Sequence, residues 1–267
     1  MRHHYYKPGK RYMILRGNNE LPPIILIHGG AWCRGKILYM SPMAHYFNRI
    51  GFTVVVPEYT LGIIEPMSGL IQLVLLLLLL LFATYLGLGA LIVSLVAITC
   101  IYINNMKWQR GVVDPLRDIN DLLKFLKYSR VILLGHSAGA HLAALYATLS
   151  RKETIAGVIC ISGVYSDHHN MSTRLGRFLA HNLQFMPQPY PLYHTHGRKC
   201  KWLLMNCELD SGLKRDTFDF ALALHESGHD VQVRYLNTSN HFTCITAEET
   251  FTAMSEWLNT TLDNKEF

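Results

Sequence analysis

The amino-acid sequence predicts an α/β domain with a mostly parallel sheet and helices on both faces. Short, mostly apolar runs alternate with longer segments in which apolar residues recur at helical spacing. Continuous apolar runs are typical of parallel strands, because such strands are buried on both faces. The regular alternation of strand and helix favours one domain rather than two. An apolar tract over residues 67–103 interrupts this pattern.

Two predicted strands precede the tract, over residues 23–27 and 52–56, with a predicted helix between them at 43–50. After the tract, Asp114 followed by Pro115 is typical of a helix start. Further strands are predicted at residues 131–134, 155–161, 202–206 and 231–236, and further helices at 140–149, 217–227 and 247–258. Residues 1–66 and 104–267 are therefore predicted to form a single domain.

The segment 164–199 is long for a simple connection and rich in aromatic residues and histidine. We predict that it forms a cap over a pocket and sets substrate specificity.

The net charge of +6 comes from lysines and arginines that are scattered rather than clustered. Nucleic acid is therefore not an expected partner, whereas a solvated surface or an anionic membrane face is compatible with this charge. The six cysteines include no CxxC pair, and buried reduced thiols are the expectation for them.

The tract at 67–103 contains no Asp, Glu, Lys, Arg or His. One helix of this length would run roughly 55 Å, well beyond a hydrocarbon core of about 30 Å. A break at Gly87 and Gly89 would divide it into two short arms. Because the flanking sequences belong to one domain, both ends of the tract must emerge on the same side. The prediction is an inserted transmembrane or re-entrant helical hairpin; the alternative is a buried apolar hairpin or lid.

This prediction implies an integral protein of the endomembranes. The side of the membrane on which the catalytic domain lies stays open. Lys107, Arg110 and Arg117 lie near the end of the tract and favour a cytoplasmic catalytic domain. Three glycosylation tripeptides favour a lumenal domain instead, at Asn170, Asn237 and Asn259.

The candidate nucleophile is Ser137, in the sequence GHSAG at residues 135–139. The motif lies between a predicted strand and a predicted helix. A serine on such a sharp turn presents its hydroxyl at the carboxyl edge of the sheet, and the glycines avoid collisions with neighbouring backbone. The helix that follows provides a favourable potential for an oxyanion.

A serine nucleophile needs a base to accept its proton and an acid to orient that base. The predicted strand 202–206 is followed by Glu208 and Asp210, and the predicted strand 231–236 is followed by His241. We predict that Asp210 and His241 act with Ser137, and Glu208 is the alternative acid. The donors of an oxyanion hole are expected from Gly29 and Gly30, after the first predicted strand, and from Ala138.

These residues resemble α/β-hydrolases of the HGG-type esterase and lipase group, and are similar to kynurenine formamidases and prenylcysteine methylesterases. The motifs that carry the resemblance are HGGAW (28–32), GHSAGAHLAA (135–144), ISGVY (161–165), ELDS (208–211) and NHF (240–242). It covers about residues 14–60 and 110–260 and implies the same triad and oxyanion donors. One departure is Tyr59-Thr60, where such proteins often have Tyr-Arg, and another is the apolar tract that follows.

The sequence therefore predicts a membrane-attached serine hydrolase. It would cleave lipophilic carboxylic esters through an acyl-enzyme. One alternative is an arylformamidase-type amide hydrolase, which would use the same residues. The non-enzymatic alternative is an inactive membrane-tethered binding module. No metal or other cofactor is expected. Histidines 168, 169, 194 and 196 have no acidic or cysteine partners at ligand spacing.

Overall fold

A computed structural model describes residues 3–18, 20–61, 77, 113–150, 154–167, 188–210 and 213–263. The strands are β1 (His3–Lys7), β2 (Lys10–Leu15), β3 (Ile24–Ile27), β4 (Val54–Pro57), β5 (Val131–His136), β6 (Ile155–Ile161), β7 (Lys201–Cys207) and β8 (Asp230–Leu236). The helices are α1 (Ser41–Arg49), α2 (Val113–Leu126), α3 (Ala138–Leu149), α4 (Leu213–Glu226) and α5 (Glu248–Asp263). Short 3-10 helices lie at Ile37–Met40, Pro191–His194 and Cys244–Thr246.

The eight strands form one sheet in the order β1-β2-β4-β3-β5-β6-β7-β8. The six strands from β4 to β8 in this order are parallel, whereas β2 runs antiparallel to both β1 and β4. The predicted mostly parallel sheet is confirmed. The hairpin of β1, the edge strand, and β2, which lies between β1 and β4, was not predicted, because polar residues such as His4, Lys10 and Arg11 interrupt the apolar pattern of both strands.

Helices cover both faces of the sheet, as predicted. Alternate residues of each central strand point to opposite faces, so that Ile25 and Leu133 pack on one side and Ile24 and Ile132 on the other. The first side is covered by α2, α3 and α4, and the second by α1 and α5.

The apolar tract at 67–103 lies outside the described residues, except for Leu77, which is helical and half exposed. No helix in the described part of the chain is long and apolar enough to cross a membrane. The central part of the predicted cap, 168–187, also lies outside the described residues, which include only its two ends.

The described residues on either side of the inserted segment contact each other. The backbone N–H of Thr60, just after β4, donates a hydrogen bond to Asp118 Oδ2 on α2 at 2.5 Å. Asp118 is buried and also forms ion pairs with Lys7 and Lys10 at 2.5 and 3.7 Å. The described stretches that end at residue 61 and begin at residue 113 are therefore in contact with each other.

Candidate active site

Ser137 lies on a tight turn between β5 and α3, at the carboxyl edge of the sheet. Its φ of 55° and ψ of −121° are outside the regions that non-glycine residues normally adopt. The turn is possible because the backbones pack closely: a Cβ at Gly135 would lie 2.2 Å from the oxygen of Gly139, and one at Gly139 would lie 2.1 Å from the oxygen of Ile27. The N–H of Ser137 donates to the carbonyl oxygen of Ile161 at 2.8 Å. The serine is thus fixed in a strained conformation with its hydroxyl directed at the site.

His241 connects Ser137 to Asp210. The Nε2 atom of His241 is 2.9 Å from Ser137 Oγ, and its Nδ1 atom is 2.8 Å from Asp210 Oδ2. A carboxylate can only accept, so Nδ1 carries the proton and Nε2 is left to accept the serine proton. This is the geometry that a serine nucleophile and its general base require.

The alternative acid, Glu208, is held away from His241. Both of its carboxylate oxygens are 2.7 Å from Lys214 Nζ, and the pair is largely exposed to solvent. Asp210, two residues further along the loop, is mostly buried beside the imidazole. The structure therefore places Asp210, rather than Glu208, next to the candidate base.

The backbone of His241 is held by two side chains that sequence reasoning did not assign. His136 Nε2–H donates to the carbonyl oxygen of His241 at 2.8 Å, and Cys244 Sγ–H donates to the same oxygen at 3.4 Å. Burial, assisted by the neighbouring His241, lowers the pKa of His136 to about 4, so this ring stays neutral. In the sequence, His136 is only the variable position of G-x-S-x-G, and no local signal identifies its contact with a loop over 100 residues away.

The loop after β3 lies against Ser137. A Cβ at Gly29 would lie 2.9 Å from the oxygen of His136 and 3.1 Å from Ser137 Cβ, so only glycine allows this approach. Gly30, with φ of 126°, turns the chain away, and Ala138 begins α3 directly after the serine. Of the three predicted oxyanion residues, Gly29 and Ala138 are thus placed beside Ser137, at a helix N-terminus that favours negative charge, and Gly30 follows Gly29 in the same loop.

Within the described residues, no group of three or more His, Cys, Asp or Glu is arranged to hold a metal ion. Of the four histidines considered for such a site, His168 and His169 lie outside the described residues. His194 instead donates from Nε2 to the carbonyl oxygen of Gln188 at 2.8 Å.

The sheet order, the strained serine turn and the Ser–His–Asp arrangement define the α/β-hydrolase class of protein. Residues 24–244 match a family model described as alpha/beta hydrolase fold, and the chain belongs to this family. Among curated proteins, no sequence matches this chain significantly.

Solved structures show the same fold at low sequence identity. An alpha/beta hydrolase enzyme from the metagenome of lagoon sediments of Mar Chica, Morocco, is 16% identical, with a TM-score of 0.62 over 97% of this chain and 99% of that one. A propionate-bound thermophilic esterase from the Planctomycetes species Thermogutta terrifontis is 15% identical, with a TM-score of 0.66 over 97% and 93%. An esterase from the fungus Rhizomucor miehei is 17% identical, with a TM-score of 0.68 over 96% and 80%. The similarity to kynurenine formamidases and prenylcysteine methylesterases stays a prediction.

Two buried histidines near the site make stability depend on pH. Burial lowers the pKa of His141 to about 4, as it does for His136, whereas the unfolded chain takes up protons near pH 6.5. Between pH 4 and pH 6.5 the unfolded state therefore binds more protons than the folded state. The free energy of unfolding should have its full value above pH 6.5. It should fall as the pH drops towards 4, by up to about 3 kcal/mol per histidine.

This dependence can be measured by urea denaturation at pH 7.0, 5.5 and 4.5. The matched control is His45→Gln, which alters an exposed histidine on α1 and should leave the slope unchanged. Equal free energies of unfolding at pH 7.0 and 4.5 would show that these rings are not buried in the neutral form.

Proposed function

We propose that this protein is a serine hydrolase that cleaves carboxylic esters through an acyl-enzyme. The observation that carries the proposal is the continuous pair of hydrogen bonds from Ser137 Oγ through His241 to Asp210. Structural neighbours described as esterases support the choice of ester as the substrate class. A binding module without activity would not require this alignment.

In the proposed mechanism, Ser137 Oγ attacks the ester carbonyl while His241 Nε2 takes its proton. Asp210 keeps the imidazole in the correct tautomer and stabilises the imidazolium that forms. The backbone N–H groups of the Gly29–Gly30 loop and of Ala138 stabilise the tetrahedral oxyanion. His241 then protonates the leaving alcohol, and water releases the acyl group by the same steps in reverse.

The residues next to the acid and the base favour a lipophilic substrate. Phe242 follows His241 and is 79% exposed, and Leu209 precedes Asp210 and is 68% exposed. Large apolar side chains in solvent are informative when they flank a site. Both lie in the loops that surround the reacting atoms, where the apolar part of a substrate would pass.

We further propose that the segment 67–103 attaches the domain to a membrane as a helical hairpin. Thr60 and Asp118, which flank the inserted segment, are hydrogen-bonded to each other. Two adjoining ends are compatible with two crossings or a re-entrant loop, and not with a single span that would separate them by a bilayer. The insertion follows the carboxyl end of β4, on the edge of the sheet where Ser137 lies, so a lipid ester could enter from the bilayer. The cytoplasmic orientation is part of this proposal.

The ester proposal is tested on full-length protein in detergent with p-nitrophenyl acetate, p-nitrophenyl decanoate and an N-formyl arylamine. We expect hydrolysis of both esters, a preference for the decanoate, and only slow deformylation. A preference for the N-formyl amide would favour the arylformamidase alternative. No turnover of any substrate by folded protein would favour a binding module.

The membrane proposal is tested by replacing residues 67–103 with a short Gly/Ser linker, which the adjoining ends should tolerate. Full-length protein should stay in the membrane pellet after alkaline carbonate extraction, whereas the deletion variant should be released. The decanoate-to-acetate rate ratio, measured on vesicles, should fall in the variant. Carbonate release of the full-length protein would contradict the anchor, and an unchanged ratio would contradict lateral entry of the substrate.

A further inference from the structure

Trp32, in the loop that follows Gly29 and Gly30, is hydrogen-bonded to the helix of the candidate nucleophile. Its indole Nε1–H donates to His141 Nδ1 at 3.1 Å. The other nitrogen of this ring, Nε2, is 2.7 Å from the carbonyl oxygen of Pro189, to which it donates. The two partners together fix the tautomer, because an indole can only donate and a carbonyl can only accept.

His141 is buried and neutral, and therefore not an acid or base in turnover. It is inaccessible to solvent, and burial lowers its pKa to about 4. The imidazole packs edge-on against the Trp32 ring, with centroids 5.1 Å apart and planes at 89°. Its surroundings suit a fixed structural link rather than proton transfer.

The loop that His141 holds is strained. Ala31 and Trp32 have φ values of 51° and 61°, in the left-handed region that is unfavourable for non-glycine residues. Such a conformation persists only where surrounding contacts enforce it. Trp32 is 2% exposed, and its hydrogen bond to His141 is the polar contact that fixes its orientation.

His141 also lies one helical turn after the nucleophile. Its backbone N–H donates to the carbonyl oxygen of Ser137 at 3.0 Å. One residue thus connects the turn that presents Ser137 Oγ to the loop that carries Gly29 and Gly30. An oxyanion donor contributes to catalysis only when it lies about 3 Å from the developing charge, so the relative placement of these two elements determines the rate.

We propose that His141 is a positioning residue, which sets the oxyanion loop against Ser137 through its hydrogen bond with Trp32. This inference rests on the proposed ester hydrolysis. His141 acts through Trp32 and does not touch the substrate.

A second Trp–His–carbonyl hydrogen-bond chain provides a matched control. Trp202 Nε1–H donates to His229 Nδ1 at 3.1 Å, and His229 Nε2–H donates to the carbonyl oxygen of Thr195 at 2.8 Å. His229 is also buried, but it precedes β8 and lies at the amino ends of the strands, on the opposite edge of the sheet from Ser137. Loss of either hydrogen-bond chain should destabilise the fold. Only loss of the Trp32–His141 chain should weaken the stabilisation of the oxyanion.

The experiment compares His141→Leu and His229→Leu for Tm, kcat, KM and inhibition by an aliphatic trifluoromethyl ketone, which forms an oxyanion adduct with an active-site serine. Both variants should have a lower Tm. His141→Leu should lose at least about tenfold in kcat and a similar factor in inhibitor affinity, since removing one oxyanion donor outright costs about 10²- to 10³-fold. KM should change less than about twofold, and His229→Leu should keep wild-type kcat.

Conservative variants separate the two hydrogen bonds and remain informative if leucine prevents folding. His141→Asn keeps an acceptor near the position of Nδ1 for Trp32, whereas His141→Gln keeps a donor near the position of Nε2 for Pro189. We expect His141→Asn to retain the higher kcat, and Trp32→Phe to lose kcat as His141→Gln does. Equal kcat in all folded His141 variants and His229→Leu, with active wild-type enzyme, would overturn the positioning role alone. Inactive wild-type protein would instead overturn the proposed function.

Discussion

Replacing Ser137 with alanine is expected to lower kcat for p-nitrophenyl ester hydrolysis by about 10⁵- to 10⁶-fold. The alanine removes the oxygen that His241 Nε2 contacts at 2.9 Å, so no acyl-enzyme can form. Any remaining rate would come from water that reacts in a site still able to bind the substrate and stabilise an oxyanion.

The matched control for this variant is Ser129→Ala. Ser129 is exposed and precedes β5, at the edge of the sheet opposite Ser137. This control should keep wild-type kcat, and both variants should keep the wild-type circular dichroism spectrum. A Ser137→Ala enzyme with more than about a hundredth of wild-type kcat would show that another group is the nucleophile.

Replacing Asp210 with asparagine is expected to lower kcat by about 10⁴-fold. The carboxylate accepts from His241 Nδ1–H at 2.8 Å, whereas an amide can donate to Nδ1 and place the imidazole proton on Nε2. A protonated Nε2 cannot accept the proton of Ser137. KM should change little, because the loss falls on proton transfer rather than on binding.

Glu208→Gln is the control, since it makes the same chemical change two residues away. Glu208 pairs with Lys214 at the surface, where an ion pair contributes up to about 1 kcal/mol to stability. The kcat of the Glu208→Gln variant should therefore remain within about threefold of wild type. Steady-state kinetics of the two variants at pH 8 makes the comparison. A large loss in Glu208→Gln with an active Asp210→Asn enzyme would assign the acid to Glu208.

The fold could be predicted from sequence wherever strands are buried on both faces. Such strands, for example Ile155–Ile161, appear as continuous apolar runs that require no knowledge of their neighbours. The strands His3–Lys7 and Lys10–Leu15 lack that signal, because polar residues interrupt both of them and the pairing of Lys10–Leu15 with Val54–Pro57 is long-range.

The approach of Ser137, Asp210 and His241 to one another could be predicted because each of them follows a parallel strand, at the same edge of the sheet. The choice between Glu208 and Asp210 could not, since both lie in one short loop and the Lys214 contact that decides it depends on the fold. The contacts of His136 and His141 were also not predicted. Their partners, the His241 carbonyl and Trp32, are more than 100 residues away in the sequence.

The proposed serine nucleophile is tested by mass spectrometry of full-length protein in detergent after reaction with a fluorophosphonate. We predict one covalent adduct per chain, located on Ser137 by peptide mapping and absent from Ser137→Ala and from heat-denatured protein. This result would establish Ser137 as an activated nucleophile. Folded protein that forms no adduct, or an adduct on another residue, would contradict the proposed serine hydrolase.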